Sequence, residues 1–270
     1  MPGVVGLARR LRARLRGAVE RTPAVRTNTQ HLVQLSGYRW VADTLGPLGG
    51  RRVLDVASGE GDGAAALAAA GAAVVGVDLD ARALARAARA CPAGRFVRMD
   101  AAALAFCDGA FDVIVSQDTL EHVADDHAFV HEAHRVLAPD GVLVLFTPHA
   151  PAHTESPANP WHVREYSADS LRALLGTRFA VTEFHGRRPA ARMRAAEARM
   201  DRARRWDPLG LRRLLVPARL RHPLGSLLAR RAAGTALEAL GTADVDYFPG
   251  VEGSGTLIAV CRKRRAAVKD

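Results

Sequence analysis

Eleven residues constrain this chain more than any others: Val53-Leu54-Asp55-Val56-Ala57-Ser58-Gly59-Glu60-Gly61-Asp62-Gly63. An apolar run that reads as a buried strand enters a loop with glycine at alternate positions, and a helix of small residues follows over 64–70. Glycine lets the backbone take positive φ at little cost and pass close to a bound group. The helix start then presents unpaired N–H groups to a polar or anionic partner. A strand, a glycine turn and a helix in that order make a βα unit, which implies a parallel sheet covered on both faces.

The rest of the chain repeats that alternation. Strands are expected over 52–57, 73–78, 95–98, 111–116 and 142–146, with helices over 31–45, 61–70, 81–90 and 125–137. Pro148, Pro151, Pro157 and Pro160 mark a long loop past the fifth strand, and Ser167 is a good N-cap for a helix to Leu175. Two last strands are expected over 180–184 and 256–261. The pattern predicts an α/β, doubly wound sheet.

The glycine turn has two readings. Gly59, Gly61 and Ala64 satisfy the spacing G-x-G-x-x-G/A of dinucleotide-binding loops, which points to NAD. Against it, Asp55 sits inside the strand, where a dinucleotide-binding strand usually carries apolar residues, and about fifty residues precede that strand. The downstream motifs favour the second reading. Val74 to Asp80 read as a second strand ending in acid, and Asp78 lies twenty-three residues past Asp55. An acid near that spacing binds ribose hydroxyls through its two acceptor oxygens. Arg98-Met99-Asp100-Ala101, Phe111 to Ser116 followed by Gln117 to Val123, and Arg135 to Leu143 with Phe146-Thr147-Pro148 come in order after it.

On these five motifs, roughly residues 35–185 resemble the class I S-adenosylmethionine-dependent methyltransferases. The resemblance implies a Rossmann-like seven-stranded sheet, order 3-2-1-4-5-7-6 with strand 7 antiparallel, and S-adenosyl-L-methionine as cofactor. It implies a cofactor site of Asp55, Ala57, Gly59, Gly61, Asp78, Leu79, Asp100, Ala101, Ser116 and Gln117, with Arg39 or Tyr38 reaching the methionine carboxylate. Asp55-Val56-Ala57-Ser58-Gly59-Glu60-Gly61, with Asn159 to Tyr166 later, is similar to a bacterial branch that methylates glycans and sugar-bearing metabolites, the mycofactocin-oligosaccharide methyltransferases among them. That branch usually has an aromatic residue where this chain has Asp62. The expected function is O-methylation of a sugar, oligosaccharide or glycosylated metabolite. Methylation of a quinol, phenol or amine is the alternative within the class. An NAD-dependent oxidoreductase and a non-catalytic binding module are the alternatives outside it.

Composition bears on partners. Three scattered cysteines, Cys91, Cys107 and Cys261, form no CxxC pair, so neither a disulfide framework nor a cysteine zinc site is expected, and a reduced cytoplasm fits. No apolar run is long enough to span a membrane, and the N-terminus shows no signal-peptide pattern. The net charge of +10 concentrates in two blocks. Residues 1–34 are expected to hold a basic amphipathic helix with Leu7, Leu11, Leu15 and Val19 on one stripe. It is expected to pack over its own active site, with weak peripheral membrane contact the alternative. Residues 186–250 read as an arginine-rich helical cap inserted before the final strand and basic tail, 251–270. Clustered arginine also reads as a nucleic-acid footprint, but that block has few aromatics for stacking, Trp206 being the one in its arginine-rich stretch, so nucleic acid is not the expected partner. A small-molecule or oligosaccharide acceptor is, and the oligomeric state is left open.

Methyl transfer from a sulfonium is an in-line displacement in which the cofactor carries the reactive group and the protein positions and desolvates. An alcohol acceptor also needs a base, and histidine is the usual one near neutral pH. His149, just past the fifth strand, is the first candidate and His162, on the proline-rich loop, the second; His122 and His153 also lie past strand ends. Asp118, Glu121 and His122 form a D-x-x-E-H cluster similar to metal sites in some methyltransferases, a minority reading beside the expected metal-independent site. Trp161 and Tyr166 stack on an acceptor ring or pack the loop.

Overall fold

The computed structural model describes residues 29–205 and 239–264. The basic helix expected at the N-terminus falls on residues 1–28, and most of the arginine-rich cap and the basic tail fall on 206–238 and 265–270, all outside the described residues. In chain order the described elements are α1 (Thr29–Leu45), β1 (Arg52–Val56), α2 (Asp62–Ala69), β2 (Ala73–Asp78), α3 (Ala81–Ala90), β3 (Arg95–Arg98), β4 (Phe111–Gln117), α4 (Asp126–Val136), β5 (Leu137–Pro148), α5 (Ala168–Gly176), β6 (Phe179–Pro189), α6 (Ala191–Arg205), β7 (Val245–Pro249) and β8 (Thr256–Lys263). Single 3-10 turns sit at Leu120–His122 and Thr242–Asp244.

The sheet has the order β3-β2-β1-β4-β5-β8-β6-β7. β1 pairs in parallel with β2 and β4, β2 with β3, and β4 with β5. β8 runs antiparallel between β5 and β6. The expected doubly wound order is therefore present, with β8 in the place of the antiparallel strand. The strand count departs from seven: β7 adds an eighth strand at the β6 edge. Its sequence, Val245-Asp246-Tyr247-Phe248-Pro249, is five residues long and alternates too briefly to stand out as a strand.

Strand pleating sends alternate residues to opposite faces, and two apolar layers result. One joins Leu54, Val56, Ile114, Leu143 and Leu145 to Phe129, Val136, Leu171 and Leu175. The other joins Val53, Val113, Val115, Val142, Val144 and Phe146 to Tyr38, Val41, Ala64 and Leu67. Central strands buried on both faces read as continuous apolar runs, which is why β1, β4 and β5 were visible in the sequence. Local caps set the helix starts: Asp80 accepts from the N–H of Arg82 at 2.7 Å, Asp125 from Ala128 at 2.8 Å, and Ser167 and Ser170 cap each other's backbone.

Two boundaries move in ways that matter. β5 begins at Leu137 rather than 142, pairing with Phe111 across an irregular register. β6 continues to Pro189 rather than ending at 184, so Arg187 and Arg188 belong to a strand of the sheet. By packing, the chain divides into two compact units. The first holds 37–188 and, from 247, the end of the described chain. The second holds described residues 29–36, 189–205 and 239–246. Within it, Ala190 donates its N–H to Asp244 at 2.8 Å and Arg192 donates to the Ala239 carbonyl at 2.9 Å.

Candidate active site

The first unit carries every site residue expected from the sequence. At the end of β1, Asp55 is fully buried. The Tyr38 hydroxyl donates to its Oδ1 at 3.0 Å, while Oδ2 has no partner among the described residues. Burial pushes the Asp55 carboxyl up to about 7, against the lowering effect of the Tyr38 hydrogen bond and with the nearby Asp78 charge adding to it. Burial and the neighbouring Asp55 also push the Tyr38 hydroxyl upward, so it stays a donor. Its ring leaves no room at Gly63, where a Cβ would lie 2.2 Å from the ring.

Ala57 follows with φ of 60°, a left-handed conformation that costs a non-glycine residue about 1–3 kcal/mol. Gly59 has φ of 55°, and a Cβ built there meets nothing within 4 Å, so the turn is open on that side. Gly61 also has positive φ, and a Cβ there would fall 2.7 Å from the Ala87 Cα, so this second glycine is required by close packing on α3. Asp78 ends β2 and fixes the turn: Oδ2 accepts from Gly59 N–H at 3.0 Å and Oδ1 from Asp80 N–H at 2.8 Å. Leu79 beside it is 55% exposed. Asp100, past β3, is exposed and accepts the N–H of Ala102 at 2.9 Å, with Ala101 half-buried next to it. Arg39 is exposed on α1; Tyr38 is the residue of that pair that reaches into the β1 turn, and it holds Asp55.

The turn after β4 is a second polar cluster. Ser116 is buried with its Oγ without a partner among the described residues. Gln117 and Asp118 are both gripped by Arg187, which the sequence placed in the arginine-rich insertion. Only 3% exposed, its guanidinium donates to Gln117 Oε1 at 2.9 Å, to the two Asp118 oxygens at 3.2 and 3.1 Å, and to Thr256 Oγ1 at 3.3 Å. It also lies 5.2 Å from the Phe146 ring centre. Asp118 is, among the described residues, the second non-glycine residue with positive φ, at 50°. The two strained positions thus follow adjacent strands, β1 and β4, at the sheet edge where open α/β sheets bind ligands. Glu121 is 1% exposed and accepts from the Thr147 hydroxyl at 2.9 Å; burial and the nearby Asp118 charge raise its carboxyl above the ordinary glutamate range.

The proline-rich loop folds back onto this turn. Val163 donates its N–H to the Glu121 carbonyl at 2.7 Å, and the buried Arg164 donates to the carbonyls of Val123 and Ala124 at 2.9 and 3.0 Å. His149 Nδ1 lies 3.2 Å from the Ser254 carbonyl. A carbonyl only accepts, so Nδ1 carries the proton and Nε2 is the basic nitrogen. His162 is held at both ends: Nδ1 is 2.7 Å from Glu165 and Nε2 is 2.9 Å from Asn159 Nδ2. The Trp161 N–H donates to Asn159 Oδ1 at 3.0 Å, which turns the amide N–H toward His162. His162 also packs edge-on against His122, ring centres 5.0 Å apart.

The expected D-x-x-E-H cluster does not gather as a unit. Asp118 is turned to Arg187, and the group whose ligand atoms come within 4.8 Å of one another is Glu121, His122 and His162. Arg187, Thr147, Asn159 and Glu165 were given no site role in the sequence, although Thr147, Asn159 and Glu165 stand within quoted motifs. Arg187 had no visible signal, because its burial depends on β6 running five residues longer than its apolar core.

Residues 54–145 match the family described as a methyltransferase domain. This stretch resembles a methyltransferase domain. A probable S-adenosylmethionine-dependent methyltransferase of Mycobacterium tuberculosis is 34% identical over 128 residues, covering 46% of this chain and 47% of that protein. An uncharacterized methyltransferase of Mycobacterium sp. (strain JLS) is 42% identical over 106 residues, covering 39% of this chain and 42% of its own length. The chain therefore spans about half the length of the curated relatives it matches. Among solved structures, a putative methyltransferase from Bacillus halodurans has a TM-score of 0.53 at 21% identity, covering 86% of this chain and 99% of its own. The cyclase SpnF superposes with a TM-score of 0.57 at 20% identity over 97% of this chain and 95% of its own. A fold shared with a cyclase does not choose the reaction; the site residues have to. No helix of the described residues is long and apolar enough to cross a membrane.

Proposed function

We propose that this chain is an S-adenosyl-L-methionine-dependent O-methyltransferase whose acceptor is a hydroxyl of a sugar, an oligosaccharide or a glycosylated metabolite. The observation that carries the cofactor reading is the β1–β2 cradle. Asp55 keeps a buried oxygen without a partner among the described residues, the Gly59 turn is open where a Cβ would stand, and Asp78 holds that turn. Those three features fit an ammonium group, a close backbone approach and a pair of ribose hydroxyls. The bound cofactor supplies a methyl group on a sulfonium. In this reading Asp55 Oδ2 takes the ammonium, and the Asp78 carboxylate takes the ribose hydroxyls. Ala57, Gly59 and Gly61 lie against the methionine portion, with Ser116, Gln117 and Arg39 flanking it. Leu79, Asp100 and Ala101 meet the adenine.

For the acceptor, His149 is the base. Its Nδ1–H is committed to the Ser254 carbonyl, which leaves Nε2 to receive the hydroxyl proton. His162 is the second candidate, and Asn159 has to leave its Nε2 before it can act. Trp161, 38% exposed on the same loop, offers a flat face to a sugar ring.

The test is calorimetry with S-adenosylhomocysteine, followed by transfer of labelled methyl to sugars, quinols and amines. Binding of the homocysteine product and labelling of the sugars are expected, with His149→Ala slowing transfer by about 10²–10⁴ while cofactor affinity holds. Labelling of quinols or amines alone replaces the acceptor. Binding of a nicotinamide dinucleotide in place of S-adenosylhomocysteine removes the whole reading.

A further inference from the structure

The geometry points to a divalent-cation site built by Glu121, His122 and His162, the last supplied by the proline-rich loop. Their ligand atoms lie within 4.8 Å of one another, with His122 Nε2 at 4.0 Å from Glu121 Oε1. Ligands about 2.0–2.2 Å from a tetrahedral ion stand about 3.4 Å apart, so side-chain movements of ~1 Å close the set.

Proximity alone would be weak. What carries the inference is how each ligand is held from behind. A histidine that binds a metal donates its other ring N–H to a carbonyl or carboxylate, which fixes the tautomer and aims the lone pair. Both histidines are arranged that way. His122 Nδ1 faces the Trp161 carbonyl at 3.0 Å, so Nε2 carries the lone pair. His162 Nδ1 faces the Glu165 carboxylate at 2.7 Å, so its lone pair too is on Nε2. Glu121 is oriented by the Thr147 hydroxyl at 2.9 Å and is 1% exposed.

The Asn159 amide N–H, 2.9 Å from His162 Nε2, meets that lone pair in the position a cation takes. It is a neutral donor on the same loop and is displaced by rotation of one side chain. Two imidazoles and one carboxylate select a first-row divalent ion such as Zn²⁺ over Mg²⁺ or Ca²⁺, which favour all-oxygen sets. The set also differs from the Asp118-Glu121-His122 grouping that sequence spacing suggests, because Asp118 is spent on Arg187. Occupancy of the site stands on its own. Its use, to hold an acceptor oxygen and lower the pKa of its proton, rests on the methyl-transfer reading.

The test uses the full chain stripped with EDTA and titrated with Co²⁺, read by its visible absorption and by calorimetry. Each sample is also titrated with S-adenosylhomocysteine, which reports folding and the cofactor reading separately. One Co²⁺ per chain is expected. His122→Ala, His162→Ala and Glu121→Gln should each weaken it at least about tenfold, and Glu165→Ala, which touches no ligand position, about 10–100-fold. Asp118→Asn and His149→Ala should titrate as wild type does, and Asn159→Ala, which removes the competing amide, should bind more tightly. A wild type with no saturable Co²⁺ uptake, a His162→Ala protein that titrates like wild type, or a cation lost with Asp118→Asn overturns the site, whatever S-adenosylhomocysteine does.

Discussion

Asp78 shares one carboxylate between two tasks. Each oxygen already accepts a backbone N–H, Gly59 at 3.0 Å and Asp80 at 2.8 Å. Replacement by alanine removes the turn's anchor and, on the proposed reading, both acceptors for the ribose. Asp78→Ala should therefore lose about 1–3 kcal/mol of S-adenosylhomocysteine affinity, the scale of hydrogen bonds to a charged group. Calorimetry at constant pH checks it, and an affinity within error of wild type would take Asp78 out of the cofactor site. Tyr38 and Asp55 show the complementary case. There the protein satisfies one oxygen with a phenol whose own ionisation is suppressed, and the other has no partner among the described residues.

The three glycines at the start of α2 have different reasons to be glycine, and substitution separates them. At Gly63 a methyl group would sit 2.2 Å from the Tyr38 ring, so α1 and α2 cannot keep their packing. At Gly59 a methyl meets no neighbour and points into open space, at the cost of a left-handed φ. Gly63→Ala should destabilise the fold by about 1–3 kcal/mol, as overpacking does. Gly59→Ala should lose about 1–2 kcal/mol of stability to its left-handed φ, with no clash to relieve, and bind S-adenosylhomocysteine weakly. Thermal melts beside calorimetry read both, and a Gly63→Ala protein as stable as wild type would contradict the packing described. The sequence displayed this element well, because a glycine turn between an apolar strand and an alanine helix is a local signal. It displayed the β4 turn only in part. Gln117 and Asp118 are local to the strand end, but their partner Arg187 arrives from seventy residues away, and only the antiparallel placement of β6 beside β8 brings it there. Thr147 was hidden because its partner Glu121 lies 26 residues earlier, past the end of β4, and Asn159 and Glu165 because they hold His162 through loop contacts that no periodicity encodes.

For the molecule as a whole, the Asp55 carboxyl ties stability to pH and to ligand. Its native value is raised from the ordinary aspartate range to about 7. Between about pH 4 and about pH 7 the native chain thus keeps a proton that the unfolded chain has released. Where the native state binds more protons, unfolding free energy falls as pH rises. The Asp55 contribution is fully present below the unfolded value and is lost as pH climbs through about 7, on the order of 4 kcal/mol across the window at about 1.4 kcal/mol per unit. Other carboxylates tilt the other way: Arg52 holds Asp112 low and Arg135 holds Glu132 low. The comparison that isolates Asp55 is therefore wild type against Asp55→Asn, which keeps the shape and removes the titration. Wild type should lose stability relative to Asp55→Asn as pH rises from about 5 to about 8. An ammonium ligand reverses the slope, because its charge favours the ionised carboxylate. The gain in melting temperature given by S-adenosylhomocysteine should grow with pH in wild type and stay flat in Asp55→Asn. A gain that is flat with pH in both proteins would mean that no cationic group meets Asp55.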